Sequence, residues 1–389
     1  MGDWDPNGAW RSLQRDETAD AASAYAEARG TCPVARVDGV LGGFWAVLDH
    51  DLLVEAALAT GTFSNVVPFF NTRRPPLECD PPEHRFYRRL LNPYFSRERL
   101  APMEAPLRRF AAELLEPLLA DGGGDYAESF SHPFPTRALC LLLSAPDDDW
   151  KLINAWSKRV DEVGGQSPPG SPERIAVGEE LRPYLTGLIE ARRADPGDDL
   201  VSCLVNGDPE LPPLDDDLLA GIVMMLVSAG HNTTTSAIGN AVLRLARDAS
   251  LQARLRGDPA LVPAFVDETI RLDAPQQAMR RIAAEDTELG GREIAAGEFV
   301  WLVFGSANLD PAAFDNPEEF DLDRSPNRHV GFGRGIHLCI GAPLARLEIR
   351  IALEELLAST TAFAVAGELG RPAWPRLGVD RLPLTIARA

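Results

Sequence analysis

A single cysteine near the C-terminus lies in a glycine-rich, nearly uncharged stretch: Phe332-Gly333-Arg334-Gly335-Ile336-His337-Leu338-Cys339-Ile340-Gly341. A helix-forming segment, residues 342–348, follows at once. Glycines let backbone N–H groups come close to the sulfur, and the N-terminus of the following helix stabilises its negative charge. The stretch therefore predicts a thiolate that ligates a metal from one side. The alternative is a buried structural cysteine beside a turn.

The spacing of this stretch, Phe-x-x-Gly-x-x-x-Cys-x-Gly, resembles the haem-thiolate signature of the cytochrome P450 family. The resemblance implies that Cys339 is the axial ligand of the iron of haem b, iron protoporphyrin IX. It also implies that Phe332 and Gly341 belong to the haem-binding loop. The fold that it implies is the mostly helical one of that family.

The composition excludes several classes of function. The chain has 389 residues and a formal net charge of −20, whereas a nucleic-acid-binding protein needs a basic face. Its five cysteines are scattered and form no Cys-x-x-Cys pair, so we expect neither disulfides nor zinc, and a cytoplasmic location. The N-terminus lacks an apolar signal region, and the longest apolar stretch, residues 218–230, is too short to span a bilayer.

Hydrophobic periodicity predicts a mostly α-helical chain with a small β region. We expect one domain over residues 1–389, with a flexible segment at 1–16. Helices are expected at about 17–29, within 83–144, and at 147–163, 172–193, 215–247, 260–273 and 342–358. Strands are expected at 34–37, 44–48 and within 281–303, and a long loop at 60–81.

The long apolar helix at 215–247 contains the run Ala229-Gly230-His231-Asn232-Thr233-Thr234-Thr235, which is rich in poor helix formers. Thr233 can donate a hydrogen bond to the carbonyl of Ala229, four residues back, and open the helix locally. The resulting groove would take a small polar ligand such as O2. The alternative is that the glycine allows close packing while the threonines bond the backbone.

This run also resembles the oxygen-binding motif of the family, Ala-Gly-x-(Asp/Glu)-Thr, and thereby implies catalytic roles for Thr233 and Asn232. Asn232 departs from the motif because an amide forms hydrogen bonds but does not take up or release a proton as a carboxyl group does at ordinary pH. Proton delivery would then depend on Thr233 and water, or be slower, or serve a different reaction. His231 is titratable, but its direction differs by about 100° around the helix.

Two further sets of residues match family motifs. Glu268 and Arg271 form a Glu-x-x-Arg pair about 70 residues before Cys339, and Arg324 matches the arginine that joins this pair in the family. The resemblance implies a buried structural triad behind the haem. It also implies that the haem propionates are bound by His84, Arg88, Arg281 and His329. The alternative for any one of these is an ordinary surface arginine or histidine.

The substrate pocket is predicted from the long loop, the central helix and the segment after the Glu-x-x-Arg helix. The candidates are Phe63, Phe69, Phe70, Met225, Ser228 and Gln276, with Ala229 beside the haem. The aromatic residues could equally belong to the ordinary core. Ser228 and Gln276 hint at a substrate that carries polar groups.

Electrons must come from separate proteins, since the chain has no room for a flavin or nicotinamide domain. Residues 80–110 carry seven arginines and four acids. We expect an acidic ferredoxin, reduced by NAD(P)H through a ferredoxin reductase, to dock on a monomer at Arg85, Arg89, Arg334 and Arg346. The alternative is a solvated helix face.

The resemblance implies a bacterial monooxygenase that inserts one oxygen atom of O2 into a small organic substrate. Asn232 leaves two other outcomes open on the same scaffold, oxidative coupling and the use of peroxide. A haem-binding sensor or carrier is a third alternative, but it gives no reason for the oxygen-groove threonine.

Overall fold

The computed structural model describes residues 21–38, 43–67, 73–166, 171–207, 214–372 and 374–389. The segment 1–16, predicted to be flexible, lies outside these ranges. The helices are α1 (Ala21–Thr31), α2 (His50–Leu58), α3 (Glu83–Leu91), α4 (Arg97–Leu100), α5 (Glu104–Ala120), α6 (Pro133–Leu142), α7 (Trp150–Gln166), α8 (Pro172–Glu179), α9 (Arg182–Ala194), α10 (Leu200–Asn206), α11 (Asp216–Arg247), α12 (Ala249–Gly257), α13 (Val262–Leu272), α14 (Phe304–Ala307) and α15 (Ala342–Ser359). A π-helical turn, Ala127–Ser131, precedes α6.

The strands are short and are concentrated in two parts of the chain. They are β1 (Val34–Val37), β2 (Phe44–Val47), β3 (Phe63–Ser64), β4 (Gly123–Asp125), β5 (Met279–Ala283), β6 (Thr287–Leu289), β7 (Arg292–Ile294), β8 (Phe299–Leu302), β9 (Thr360–Val365) and β10 (Pro383–Arg388). The predicted mostly helical chain with a small β region is confirmed. The two C-terminal strands, β9 and β10, were not predicted.

The chain divides into two compact units. The first comprises Met1–Val67, Asp258–Cys339 and Leu369–Asp380, and the second comprises Pro68–Gly257, Ile340–Glu368 and Arg381–Ala389. The expectation of one domain stays a prediction. No helix in the described ranges has both the length and the apolar character needed to cross a bilayer.

The first unit is built on a five-stranded sheet of order β1-β2-β8-β5-β3. Strands β1 and β2 lie where strands were predicted and pair antiparallel, with Val37 opposite Phe44, and β2 runs parallel to β8. The strands are half-buried to buried, and their apolar side chains pack with α2 and with Val330 in one core cluster. This core therefore extends to Val330, two residues before the glycine-rich stretch.

The second unit is organised around α11, which is buried nearly all round. Its N-cap is Asp215, whose side chain accepts the N–H of Leu218, so the predicted start of this helix is confirmed. Helices α6, α9 and α15 pack against α11, and a three-stranded sheet of order β4-β10-β9 completes the unit. The central helix is therefore held from several sides.

Candidate functional site

The glycine-rich stretch forms a tight loop in the first unit. The N–H of Cys339 donates to the carbonyl of Phe332 (2.8 Å), and the N–H of Gly333 donates to the carbonyl of Val330 (2.8 Å). The loop is tied to its surroundings because the N–H of Val330 donates to Oδ1 of Asn308 (2.7 Å). These backbone bonds set the position of the cysteine.

Two glycines allow this loop to close. Gly333 and Gly335 have φ of +76° and +72°, a region that side chains with a Cβ rarely adopt. A Cβ on Gly335 would also lie 3.1 Å from the carbonyl oxygen of Ala57. Both glycines are therefore needed for backbone conformation, and Gly335 is also needed for close packing on α2.

The cysteine is exposed and so are the apolar residues near it. Leu338 and Ile336 retain 45% and 39% of their accessible surface, and Cys339 is also exposed. Apolar side chains are normally removed from water, so exposed ones beside a thiol are typical of a surface that receives a ligand. Cys339 is therefore not the buried structural cysteine of the alternative interpretation.

Glu268, Arg271 and Arg324 meet in the interior of the first unit. The Arg271 guanidinium donates to both oxygens of Glu268 (2.8 Å each), and Nε of Arg324 donates to Oε1 of Glu268 (3.0 Å). Burial alone would raise the pKa of Glu268, but hydrogen bonds from Arg271 and from the Asp321 N–H outweigh it and lower that pKa. Arg271 also donates to backbone carbonyls, including that of Asn308 (2.9 Å).

The run of threonines lies on α11, which stays α-helical throughout. Oγ1 of Thr233 donates to the carbonyl of Ala229 (2.8 Å), as predicted, although the helix does not open into another conformation. Ala229 is exposed and Thr233 half-buried on a helix that is otherwise almost entirely buried. A Cβ on Gly230 would lie 2.8 Å from Leu139, so close packing against α6 also requires the glycine.

The side chains of His231 and Asn232 meet, contrary to the expectation that they point apart. Nδ1 of His231 lies 2.7 Å from Oδ1 of Asn232, because the amide reaches sideways along the helix surface. Ser157, on α7, lies within hydrogen-bond distance of both side chains. This contact was missed because residues 157 and 231 are distant in sequence.

The four propionate candidates are partly or fully buried. On α3, burial and then the nearby Arg88 lower the pKa of His84 to about 4, so its ring is neutral. On β5, Arg281 is buried and donates to the carbonyl of Arg280 (2.8 Å). Nδ1 of His329 accepts the N–H of Gly331 (3.3 Å), and Nε2 lies 3.7 Å from Asp267.

Known proteins are similar to this one in sequence along nearly the whole chain. A family model described as Cytochrome P450 matches residues 177–362. The 6-deoxyerythronolide B hydroxylase of Saccharopolyspora erythraea is 31% identical over 388 residues, which cover 93% of this chain and 95% of that protein. The cytochrome P450 monooxygenase PikC of Streptomyces venezuelae is 33% identical over 397 residues, 97% of this chain and 94% of PikC. The chain belongs to the cytochrome P450 family.

The solved structure of CYP108D1 from Novosphingobium aromaticivorans confirms the fold. It matches with a TM-score of 0.87 at 31% identity, over 99% of this chain and 98% of that one. The cytochrome P450 described here is therefore an oxidoreductase of the monooxygenase class, related to bacterial enzymes, and the cofactor of its family is haem. Hydroxylases are among its relatives.

The donor set of this cytochrome P450 suits a haem. A thiol is a soft ligand for iron, and two guanidinium groups and two imidazoles are suitable partners for two carboxylates. The thiol belongs to Cys339, and the other groups belong to His84, Arg88, Arg281 and His329. The exposed apolar surface of Leu338 matches the apolar face of a porphyrin.

The predicted pocket residues have different environments. Phe63 is buried in the core of the first unit, so the structure favours the alternative of ordinary core for this residue. Phe69 and Phe70 lie outside the described residues. Ser228 donates to the carbonyl of Met225 (3.3 Å), and the amide of Gln276 donates to the carbonyl of Ala278 (2.8 Å).

The arginines predicted to bind a ferredoxin differ in exposure. Arg85 and Arg89, on α3, and Arg334, in the cysteine loop, are exposed, whereas Arg346 is half-buried. Arg99 lies in the same arginine-rich region of the sequence but forms a bidentate ion pair with Asp198, which neutralises its charge locally. This ion pair was not predicted, because its members are 99 residues apart in the sequence.

A buried carboxyl group on α15 also escaped the sequence analysis. Glu348 is almost completely buried, and within the described part of the chain its Oε2 has no hydrogen-bond partner. Burial raises its pKa well above the ordinary value. The helical periodicity of residues 342–358 could have placed this glutamate on the buried face of α15, which packs against α11.

Glu348→Gln is expected to change how stability depends on pH. The folded protein keeps a proton on Glu348 that the unfolded chain releases above a pH of about 4.5. The free energy of unfolding is therefore expected to fall as the pH rises above about 4.5. The slope is about 1.4 kcal/mol per pH unit for one proton. Urea unfolding at several pH values should show a flatter profile for Glu348→Gln. The exposed Glu190→Gln should behave as the unaltered protein, and equal slopes in all three would contradict the assignment.

Proposed function

We propose that this cytochrome P450 binds haem through Cys339 and inserts one oxygen atom of O2 into a C–H bond of a small organic substrate. The observation that carries the proposal is the exposed thiol in a loop closed by the Cys339 N–H and the Phe332 carbonyl. Phe332 and Gly341 bound the loop on either side of the thiol. Bound haem supplies the activation of O2, which no side chain of the chain could perform.

The propionates would be bound by charged and neutral donors. The guanidinium groups of Arg88 and Arg281 supply positive charge, and the imidazoles of His84 and His329 supply N–H donors. The triad of Glu268, Arg271 and Arg324 has a structural role behind the haem, supporting the loop through the backbone that Arg271 binds.

Thr233 would hold and pass a proton at its Oγ1. Its hydroxyl is bonded to the carbonyl of Ala229, which is an exposed residue near the middle of α11. The Asn232 amide does not ionise, so protons would reach Thr233 through water rather than through residue 232. We therefore assign Thr233 the proton-transfer role, and Asn232 an orienting role.

Substrate selection would depend on Met225, Ser228 and Gln276. Ser228 and Gln276 carry hydrogen-bonding groups, which supports a substrate that has polar groups as well as apolar surface. Relatives that are named as hydroxylases support hydroxylation as the reaction. Because residue 232 is an amide, oxidative coupling and the use of peroxide are the alternative reactions. The experiment with labelled O2, described below, distinguishes them from hydroxylation.

Electrons would come from NAD(P)H through a ferredoxin reductase and an acidic ferredoxin. The exposed arginines Arg85, Arg89 and Arg334, with the half-buried Arg346, provide positive charge on a chain whose net charge is −20. Local positive charge raises the encounter rate with an acidic partner. We further propose that the enzyme works as a monomer in the cytoplasm, where NAD(P)H is available.

Cys339→Ser is expected to abolish the red-shifted Soret band that reduced protein shows under carbon monoxide. A hydroxyl does not replace a thiolate as the donor to iron, so the spectrum should change even if haem still binds. Cys32→Ser is the matched control, since Cys32 is half-buried, and its Sγ donates to the carbonyl of Val34 and accepts a hydrogen bond from Arg292. A normal spectrum in the Cys339 variant would exclude thiolate ligation by this residue.

Thr233→Ala is expected to separate electron use from product formation. Consumption of NADH should continue, while product per NADH falls about tenfold or more and hydrogen peroxide rises, since a positioned proton donor is lost. The substrate for this assay is the compound whose binding shifts the Soret band to the blue in a ligand screen. The neighbouring, buried Thr234→Ala is the control. Oxygen from labelled O2 should appear in the product. Products of oxidative coupling that contain no labelled oxygen would favour the alternative reactions.

The double substitution Arg85→Gln, Arg89→Gln is expected to slow reduction by an acidic [2Fe-2S] ferredoxin about tenfold at low salt. The difference from the unaltered enzyme should shrink above about 0.1 M salt, where charges are screened beyond about 10 Å. Stopped-flow formation of the carbon monoxide complex measures this rate. Arg254→Gln removes an exposed charge elsewhere, on α12, and should have no effect. A rate that does not depend on salt would rule out the arginine site.

A further inference from the structure

A groove in the second unit adjoins Arg89, one of the arginines proposed to bind a ferredoxin. Its volume is about 760 Å³, which is large enough to receive a side chain of another protein. The groove lies between α3 and α4 on one side and the region of Asp198 and α10 on the other. Among the described residues that line it, the charged ones are Arg89, Glu98, Arg99 and Asp198.

The guanidinium of Arg99 is held in this groove by three kinds of contact. Its Nη1 and Nη2 donate to the two carboxylate oxygens of Asp198, at 2.8 Å and 2.6 Å. Nη2 also donates to the backbone carbonyl of Asp198 (2.6 Å), and Cζ lies 5.1 Å from the centroid of the Tyr94 ring, within the range of a cation–π contact. The ring and the backbone carbonyl therefore order the guanidinium independently of the Asp198 carboxylate.

The carboxylate of Asp198 can be exchanged for another one at little cost. Its side chain retains 87% of its accessible surface, compared with 39% for the side chain of Arg99. An ion pair so exposed contributes little to stability, because water and salt compete with it. A second carboxylate that offers two oxygens to Nη1 and Nη2 finds the guanidinium already ordered, so less conformational freedom is lost on binding.

Asp198 also determines how strongly the groove attracts an acidic protein. The two arginines among the described lining residues are balanced by the two acids, Glu98 and Asp198. The chain as a whole has a net charge of −20, so an acidic protein is attracted only where arginines outnumber acids locally. An acid that covers Arg99 weakens this attraction, and its displacement restores it.

We propose that Asp198 is an internal competitor for the acidic ferredoxin. Its carboxylate covers Arg99 in the free enzyme, and a carboxylate of the ferredoxin displaces it when the two proteins dock. This inference rests on the proposed docking of the ferredoxin at Arg85 and Arg89, and it adds Arg99 to that site. Asp198 thereby selects the partner, because only a protein that places a carboxylate at Arg99 recovers the bidentate contact.

The displacement is tested on holoenzyme with a purified acidic [2Fe-2S] ferredoxin. Calorimetric titration gives the Kd of the oxidised ferredoxin for the ferric enzyme, at low salt and above about 0.1 M salt. Asp198→Asn removes the competing charge and should lower the Kd about three- to tenfold at low salt. The rate at which the carbon monoxide complex forms should rise by a similar factor. Both gains should shrink at the higher salt concentration.

Glu98→Gln is the matched control. Glu98 is exposed and lines the same groove, and its substitution changes the net charge by the same amount as Asp198→Asn. A general change in the electrostatic field predicts the same effect for both variants, whereas competition for Arg99 predicts at most about a twofold effect for Glu98→Gln. The double substitution Arg99→Gln, Asp198→Asn should lose the gain, because the ferredoxin then has no guanidinium to bind at this position.

Equal effects of Asp198→Asn and Glu98→Gln, or a gain that survives in the double variant, would overturn the proposal. So would sedimentation in which Asp198→Asn makes the enzyme associate with itself, because the groove would then fit a second copy of the chain. If Arg85→Gln, Arg89→Gln binds the ferredoxin normally while Asp198→Asn still tightens binding, only the docking site in the proposed function is wrong. Binding of the ferredoxin to none of the variants would overturn both.

Discussion

A continuous path of hydrogen bonds leads from the buried Arg271 to Cys339. Arg271 donates to the backbone carbonyl of Asn308, and the side-chain oxygen of Asn308 accepts the N–H of Val330. The carbonyl of Val330 accepts the N–H of Gly333, and the carbonyl of Phe332 accepts the N–H of Cys339. A buried guanidinium must find an acceptor for each donor, since an unpaired buried charge is costly.

This requirement links the charged triad to the thiol, although the two are far apart in the sequence. The backbone carbonyls that bind Arg271 belong to the irregular segment between α14 and the cysteine loop. This segment has no regular ladder of backbone hydrogen bonds to hold it. Binding this segment to a charged centre gives it one conformation. The loop that follows then presents its cysteine at the surface of the first unit, where a ligand can reach the sulfur.

The second unit solves a different problem, that of placing polar groups on a buried helix. Thr233 bonds the carbonyl of Ala229, while His231 and Asn232 are satisfied by α7 and by the carbonyl of His132. Thr233, His231 and Asn232 thus each have a partner, as burial demands. The helix remains continuous because all of these bonds supplement its own backbone ladder and do not replace it.

Much of the fold followed from local patterns. The limits of α11 and the positions of β1 and β2 could be predicted because apolar periodicity acts within a few residues. Strands β9 and β10 could not, since their pairing joins segments about 20 residues apart and gains its stability from packing. Phe63 was ambiguous for the same reason, because an aromatic side chain suits a pocket and a core equally.

The sequence by itself determined the family, the cysteine, the Glu-x-x-Arg pair and the threonine, because each belongs to a motif whose spacing is local. Only the tertiary structure decided what those residues contact. The Ser157–His231–Asn232 cluster, the Arg99–Asp198 pair and the burial of Glu348 all depend on helices that meet across long intervals of sequence. Hydrogen bonds and desolvation act over a few ångströms in space, and sequence distance carries no information about that separation.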